Sequence, residues 1–188
     1  MAHTHDQTLL TRLGFQDPDR KTPEHDLACR YLTQREQLQK IAALYYPFTI
    51  RWFARGGEPR ETVFSKCVSG NAALEVPLTK GANQYKTHIG FFDVVINFLF
   101  VSDVKNDDYD REQQKVVIEV KIQPLDIGTI LRQLNLYKEH SDCKHWLLAT
   151  AFPLNVEEVK SFGDIKHVYL NPAYKEYAKQ PVAESMVV

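Results

Sequence analysis

Three charged side chains lie in two strongly apolar stretches of this chain, and their types and spacing could support chemistry. Glu119 and Lys121 stand two residues apart in residues 115–122, so on a β-strand they would project from the same face. The apolar opposite face would consist of Val116, Ile118, Val120 and Ile122. Asp93 stands in a second apolar stretch, residues 90–96, where an uncompensated carboxylate is costly to bury. Two carboxylates and a lysine on neighbouring strands can hold a hard divalent cation and activate water against a phosphodiester.

Each of these side chains also has a simpler interpretation. Glu119 and Lys121 would form an ordinary ion pair on a solvated strand, and Asp93 would be an acid at a strand end facing water. An ion pair does not exclude catalysis, because the neighbouring carboxylates also set the proton affinity of the lysine. The presence of all three charges on two predicted strands favours the metal-site interpretation.

A helix is predicted after the second apolar stretch, opening at residues 124–126 and ending near residues 140–142. Its apolar residues recur every three or four positions: Ile127, Ile130, Leu131, Leu134 and Tyr137. This spacing is typical of one buried helix face. Gln133 and Tyr137 are one turn apart and share a face, although Tyr137 also fits the apolar stripe as a core residue. Arg132 fits either a contact with phosphate or a solvated helix face.

The rest of the chain predicts an α/β fold. Thr22, Pro23 and Glu24 are typical of a helix start, and the apolar spacing extends this helix over residues 23–45. Strands are predicted at 48–54, 61–68, 73–78, 88–101, 115–123, 145–151 and 165–170, with a break at 69–71 and a short helix at 155–162. This order of elements predicts a mixed central sheet flanked by helices.

Composition predicts one ordinary globular domain. Of the 188 residues, 44% are hydrophobic and 25% are charged, which is enough apolar material for a real core. We expect a partly ordered N-terminal segment at residues 1–21, a single domain at 22–172 and a C-terminal tail at 173–188. The chain has no apolar run of membrane-spanning length and no basic-then-apolar start typical of a signal peptide, so the sequence predicts a cytoplasmic protein without a membrane partner.

Charge and cysteine content limit the function classes. A net charge of −1 argues against a large nonspecific nucleic-acid footprint, although metal-binding acids would themselves lower the total. Arg51, Arg55 and Arg60 form a local basic stretch whose simplest interpretation is a solvated face. Three cysteines without a C-x-x-C pair indicate neither a disulfide framework nor a complete cysteine-only metal site. The chain has no G-x-x-x-x-G-K-[ST] loop, so ATP hydrolysis is not expected.

The charged residues and the helical glutamine together resemble a known pattern. Asp93, residues 119–121 and the element Gln133 to Tyr137 are similar to the motifs of the PD-(D/E)XK nuclease superfamily, and the Q-x-x-x-Y element is similar to that of its RecB-like branch. Phe92 stands where the name-giving pattern has proline, a position that varies within the superfamily. The resemblance implies a restriction-endonuclease-like αβββαβ core.

The resemblance implies a role for each motif residue. Asp93 and Glu119 would be ligands of Mg²⁺ or Mn²⁺, with the backbone carbonyl of Val120 as a third oxygen. Lys121 would orient or deprotonate the attacking water, or stabilise charge that grows on the phosphate. Gln133 would contact the site from the helix.

Three further residues receive supporting roles. Glu75, on the strand before Asp93, resembles the extra acid that some members of the superfamily place near the metal. Tyr137 and Arg132 would lie near the substrate.

The function that the resemblance implies is a metal-dependent deoxyribonuclease, which hydrolyses phosphodiester bonds with a metal-activated water and has DNA as its partner. RNA remains an alternative substrate, and cutting from an end or internally would suit the same residues. A homodimer is a further alternative, because duplex cutting by a domain with one site often needs two copies. The competing functions are a catalytically silent nucleic-acid-binding or protein-binding module and a nuclease subunit of a restriction, recombination or defence complex.

Overall fold

In the computed structural model, helices cover both faces of a mixed sheet that has seven strands among the described residues. The structure describes residues 22–80, 87–103, 110–170, 172–179 and 186–187. The predicted N-terminal segment, residues 1–21, lies outside these ranges. The predicted α/β class and mixed sheet are confirmed.

Between residues 87 and 169, the elements follow one another in the order that the sequence predicts. In chain order the elements of the described residues are α1 (Pro23–Leu32), α2 (Arg35–Ala43), β1 (Phe48–Phe53), β2 (Pro59–Lys80), β3 (Thr87–Ser102), β4 (Arg111–Lys121), α3 (Ile127–Glu139), β5 (His145–Thr150), α4 (Val156–Ser161), β6 (Lys166–Tyr169), a C-terminal 3-10 helix (Pro172–Lys179) and β7 (Met186–Val187). Strands β1 to β4 form an antiparallel meander, and β7 pairs with β2. Strands β5 and β6 run parallel to β4, because α3 and α4 carry the chain back between them.

The prediction of one helix over residues 23–45 is wrong, because the chain forms two helices there. The start is as predicted, with Thr22 Oγ1 accepting the backbone N–H of His25 at 3.2 Å. The first helix then ends at Thr33, whose hydroxyl donates to the carbonyl of Arg30 at 2.8 Å. This local bond competes with continuation of the helix, and Gln34 begins the second helix.

The predicted strand break at residues 69–71 is also wrong, because β2 continues through it. The pairing of β2 with β3 shifts register between Phe64 and Lys66 and again between Cys67 and Ser69. Such bulges accommodate an extra residue without ending the strand. The two strands predicted at 61–68 and 73–78 are therefore parts of one long strand.

The core has two layers, one on each face of the sheet. On the first face, α1 and α2 pack on alternate residues of the central strands, among them Val94, Ile96, Val116, Ile118 and Val120. On the second face, α3 packs on the intervening residues, among them Val95, Val117 and Leu148. This alternation confirms the predicted apolar face of β4. No helix among the described residues is long and apolar enough to cross a membrane.

The segment predicted as a C-terminal tail returns to α1. Tyr174 of the 3-10 helix is buried, and its hydroxyl donates to Glu24 Oε1 at 2.7 Å. The rings of Tyr31 and Tyr177 meet edge to face at 4.8 Å between centroids. The described part of this segment therefore helps to hold α1 on the sheet.

Two half-buried histidines make the stability of the fold sensitive to acid. Burial lowers the pKa of His145, with a contribution from Lys144, and burial lowers the pKa of His167 below the ordinary 6.5. Because the folded state favours the neutral rings, the stabilisation that these two histidines contribute is fully present above about pH 6.5. It is lost as the pH falls through their folded-state pKa values. We expect the urea midpoint to fall between about pH 7 and pH 5, and to fall less in His167→Gln.

Two carboxylates with lowered pKa affect stability at more acidic pH than the histidines do. Hydrogen bonds from Lys175 and Lys138 lower the pKa of Glu24 and of Asp164 below their ordinary values of 4.5 and 3.8. Asp164→Asn should therefore leave the change between pH 7 and pH 5 unaltered. Equal urea midpoints for the unmodified protein at these two pH values would contradict the histidine account.

Candidate active site

The pairing of β3 with β4 ends beside the candidate carboxylates. The last paired residues are Val94 and Ile118, whereas β3 stays paired with β2 beyond this point. Where the strands separate, the backbone N–H of Val120 donates to Asp93 Oδ2 at 2.8 Å. The Asp93 side chain thereby reaches across the gap to the strand that carries the other two charges.

Glu119 and Lys121 form a fully buried ion pair on one face of β4. Lys121 Nζ donates to Glu119 Oε1 at 2.7 Å, and the two side chains are 0% and 1% exposed. The predicted sharing of a face is confirmed, and the alternative of a solvated pair is not what the structure shows. At this depth the pair is screened little by solvent, so loss of either partner would leave a buried charge uncompensated.

Helix α3 supports the same carboxylate from the other side. The helix begins at Asp126, whose side chain accepts the backbone N–H of Thr129 at 2.9 Å. Gln133 Nε2 donates to Glu119 Oε1 at 2.8 Å and lies 3.2 Å from the hydroxyl of Tyr137. Strand and helix therefore hold Glu119 through the same oxygen, and the predicted shared face of Gln133 and Tyr137 is confirmed.

Tyr137 is both a core residue and a neighbour of the site. Its side chain is 1% exposed, and its ring meets that of Phe92 edge to face at 5.4 Å between centroids. Burial, together with the negative charge of Glu119, raises the pKa of the Tyr137 hydroxyl. The hydroxyl therefore stays protonated and fixes Gln133. Its predicted role near the substrate stays a prediction.

His25 of α1, which the sequence did not single out, contacts the site from the first face of the sheet. Its Nε2 lies 3.4 Å from Asp93 Oδ2, and its side chain is 3% exposed. Cys29 follows one turn later, with its Sγ 3.7 Å from His25 Nδ1. Burial and the charges of Asp93 and Glu119 raise the pKa of the Cys29 thiol, so it stays protonated. The four-residue spacing of His25 and Cys29 was the available sequence signal.

The buried charges do not balance on their own. Asp93 and Glu119 are 5% and 1% exposed, and Lys121 is the buried lysine beside them. Two carboxylates against one ammonium leave an excess negative charge unless His25 is protonated. Because burying net charge costs free energy, the site favours an additional positive charge, which either a protonated His25 or a bound cation would supply.

Glu75 lies on β2 between Leu74 and Val76, which pair with Val94 and Phe92, the two neighbours of Asp93 on β3. Together with side chains of α1, it lines a cavity of about 250 Å³: His25, Asp26, Cys29, Arg30, Leu74 and Glu75. Its backbone has a φ of 49°, a left-handed conformation that is rare for residues with a side chain. The strand is therefore strained next to Asp93.

Replacing Glu75 by glycine is expected to stabilise the protein by about 0.5–1 kcal/mol, because glycine adopts a positive φ without steric cost but loses more chain entropy on folding. Thermal unfolding should show a rise of a few degrees in Tm. Glu75→Ala removes the same carboxylate and keeps the strained Cβ, so it should give no rise. Equal stabilisation by both variants would assign the effect to charge rather than to the backbone.

The structure does not bring Arg132 to the carboxylates. Its side chain is exposed, and its Nη2 donates to Thr129 Oγ1 at 3.0 Å on the outer side of α3. Glu24, an acid in the first turn of α1, contacts Tyr174 and Lys175 rather than the buried carboxylates. The predicted substrate contact of Arg132 stays a prediction.

The chemistry of the donor set suits a hard cation. Asp93, Glu119 and the Val120 carbonyl supply oxygen donors, which Mg²⁺ and Mn²⁺ prefer. Within the described ranges, no group of three or more His, Cys, Asp or Glu side chains is arranged to hold a metal ion. A divalent cation would therefore depend on two carboxylates completed by a backbone oxygen and water, the arrangement in which Mg²⁺ keeps part of its hydration shell.

Comparisons of the chain with family models, with curated proteins and with solved structures give no match.

Proposed function

We propose that this protein is a metal-dependent deoxyribonuclease of the restriction-endonuclease-like fold that its motifs resemble, with Mg²⁺ or Mn²⁺ held by Asp93, Glu119 and the Val120 carbonyl. The observation that carries the proposal is the burial of two carboxylates against one lysine where β3 and β4 separate. This excess negative charge would attract a divalent cation. When bound, it would supply a Lewis acid and a water of lowered pKa.

The residues of the chain divide the remaining tasks. Lys121 places a positive charge 2.7 Å from Glu119, where it would stabilise negative charge that develops on a scissile phosphate. Gln133 holds the Glu119 carboxylate in place from α3, and Tyr137 in turn contacts the Gln133 amide. This support reduces the motion of the carboxylate, and a fixed geometry is what makes such groups effective in catalysis.

A second candidate function is favoured by the depth of the ion pair. Lys121 and Glu119 are buried to 0% and 1% exposure, so a phosphodiester reaches Lys121 only after side chains or strands move. A catalytically silent binding module would keep the pair closed permanently. A subunit of a larger nuclease complex would open it when its partner binds.

The experiment is cleavage of single-stranded, linear duplex, supercoiled and branched DNA, and of RNA, with Mg²⁺, Mn²⁺ or EDTA. We expect metal-dependent cutting of DNA that falls by at least about 10²–10³-fold in Asp93→Asn and in Lys121→Met, since each removes a charge that acts on the reacting groups. Asp164→Asn is the matched control, because it removes an exposed carboxylate that pairs with Lys138. A folded protein that leaves every substrate intact would refute the nuclease and support the binding module.

A further inference from the structure

The hairpin formed by β1 and the start of β2 projects beyond the rest of the sheet. β1 pairs with β2 as far as Phe53 and Pro59, but the pairing of β2 with β3 ends at Phe64 and Ser102. Among the described residues, the beginning of β2 therefore pairs with β1 alone. Residues 49–63 form a two-stranded ribbon, called here the β1–β2 ribbon.

Aromatic and cationic side chains lie on the surface of the β1–β2 ribbon. Phe53 is 76% exposed, and Arg55 and Arg60 are exposed beside the turn. Neither arginine forms an ion pair within the part of the chain that the structure describes. The guanidinium of Arg60 lies 5.8 Å from the centre of the Trp52 ring, and Trp52 Nε1 donates to Thr62 Oγ1 at 3.0 Å. The ribbon thus presents two exposed arginines, one of which rests on a fixed aromatic ring.

The charge of the ribbon is opposite to that of the whole chain. Residues 49–63 hold three arginines and two glutamates in a chain of net charge −1. Arg51 and Glu61 neutralise each other through a 2.6 Å ion pair. The other charged residues of the ribbon are Arg55, Arg60 and Glu58, so its tip carries an excess positive charge.

We propose that the β1–β2 ribbon is an arm that binds duplex DNA, with Arg55 and Arg60 on phosphates and Phe53 against the groove wall. The inference rests on the proposed function for the class of its partner. A two-stranded ribbon has the width that the major groove admits. The guanidinium group of arginine matches the geometry of phosphate. A small basic arm is also compatible with the near-neutral charge of the chain, because DNA would be bound by a local basic region and not by a large basic surface.

The arm lies far from the carboxylates along β2. From Arg60, in the ribbon, to Glu75, whose neighbours pair with those of Asp93, β2 spans at most about 50 Å at roughly 3.3 Å per residue. One turn of duplex is about 34–36 Å long. Arg60 would therefore contact the duplex within about one and a half helical turns of the bond that is cut.

The test is binding of a fluorescent duplex of about 30 base pairs in EDTA, where no metal-dependent cutting occurs, at several salt concentrations. We expect Arg55→Ala/Arg60→Ala to weaken binding about tenfold and to make the slope of log K against log salt shallower by nearly two, because each phosphate contact contributes about 0.9. Phe53→Ala should weaken binding with the slope unchanged. Arg35→Ala/Lys40→Ala, which removes two exposed charges from α2, is the matched control and should bind as the unmodified protein does.

The proposal of a DNA-binding arm would be overturned if the unmodified protein did not bind duplex. It would also be overturned if Arg55→Ala/Arg60→Ala and Arg35→Ala/Lys40→Ala gave equal affinities and slopes. Ribbon variants that alter self-association in light scattering but leave duplex binding unchanged would make the ribbon a protein-binding surface and also overturn the proposal. Because binding is measured without metal, the test separates the two proposals. If the salt slope depends on the ribbon arginines but the protein never cuts DNA, the nuclease proposal alone is refuted. If the protein cuts DNA but its binding does not depend on the ribbon, the arm proposal alone is refuted.

Discussion

Replacing Lys121 by methionine is expected to lower the free energy of unfolding by about 3–5 kcal/mol, the cost of leaving a buried charge without its partner. Methionine keeps the length and apolar stem of lysine, so the loss reports the charge rather than a cavity. Glu119 would remain buried with the Gln133 amide as its donor. Urea unfolding followed by circular dichroism would measure the change.

A double-mutant cycle separates the stability of the pair from its chemistry. Glu119→Gln/Lys121→Met removes both charges and should regain most of the stability lost in Lys121→Met, because residue 119 no longer carries a buried charge without its partner. It should remain inactive on DNA. Lys138→Met, which breaks the pair with the exposed Asp164, should cost only about 0–1 kcal/mol. A cost for Lys121→Met as small as that control would contradict the burial of the pair.

Asp93→Asn is expected to abolish the stabilisation of the protein by divalent cations. A cation at 100 times its Kd stabilises the folded state by about 2.7 kcal/mol, or roughly 5–10 °C in Tm for a chain of this size. The unmodified protein should therefore melt higher in Mn²⁺ than in EDTA. Asp93→Asn keeps an oxygen acceptor for the Val120 N–H but lacks the charge that attracts the cation, so its two melting curves should coincide.

The control for this prediction is another acid on the surface. Asp164→Asn should retain the full difference between Mn²⁺ and EDTA, because its carboxylate lies with Lys138 rather than with the buried pair. Glu119→Gln should behave as Asp93→Asn does. An unchanged cation effect in both Asp93→Asn and Glu119→Gln would place the cation elsewhere on the protein.

The parts of the site that follow from local periodicity were predictable. A strand turns alternate side chains to one face, so the pairing of Glu119 with Lys121 follows from their spacing once β4 is a strand. A helix brings residues four apart together, and Gln133 meets Tyr137 for that reason. The α/β class follows in the same way from the order of the elements.

The parts that depend on contacts between distant segments were not predictable. Nothing near Asp93 in the sequence indicates that β3 pairs with β4 only from Val94 onward, or that His25 of α1 lies 3.4 Å from the carboxylate. The continuity of β2 through residues 69–71 has a similar cause, because pairing with β3 outweighs the local preference of these residues for a turn. The return of Tyr174 to α1 also depends on tertiary packing.

The positions of the two tryptophans provide the protein with two separate spectroscopic probes. Trp146 is buried on the second face of the sheet, with its ring 5.7 Å from that of Phe92, the neighbour of Asp93. Trp52 lies half-buried on the β1–β2 ribbon under Arg60. Emission from a Trp52→Phe variant reports unfolding of the core, whereas emission from Trp146→Phe reports the ribbon. Intrinsic fluorescence can thus follow the two regions independently without an attached dye.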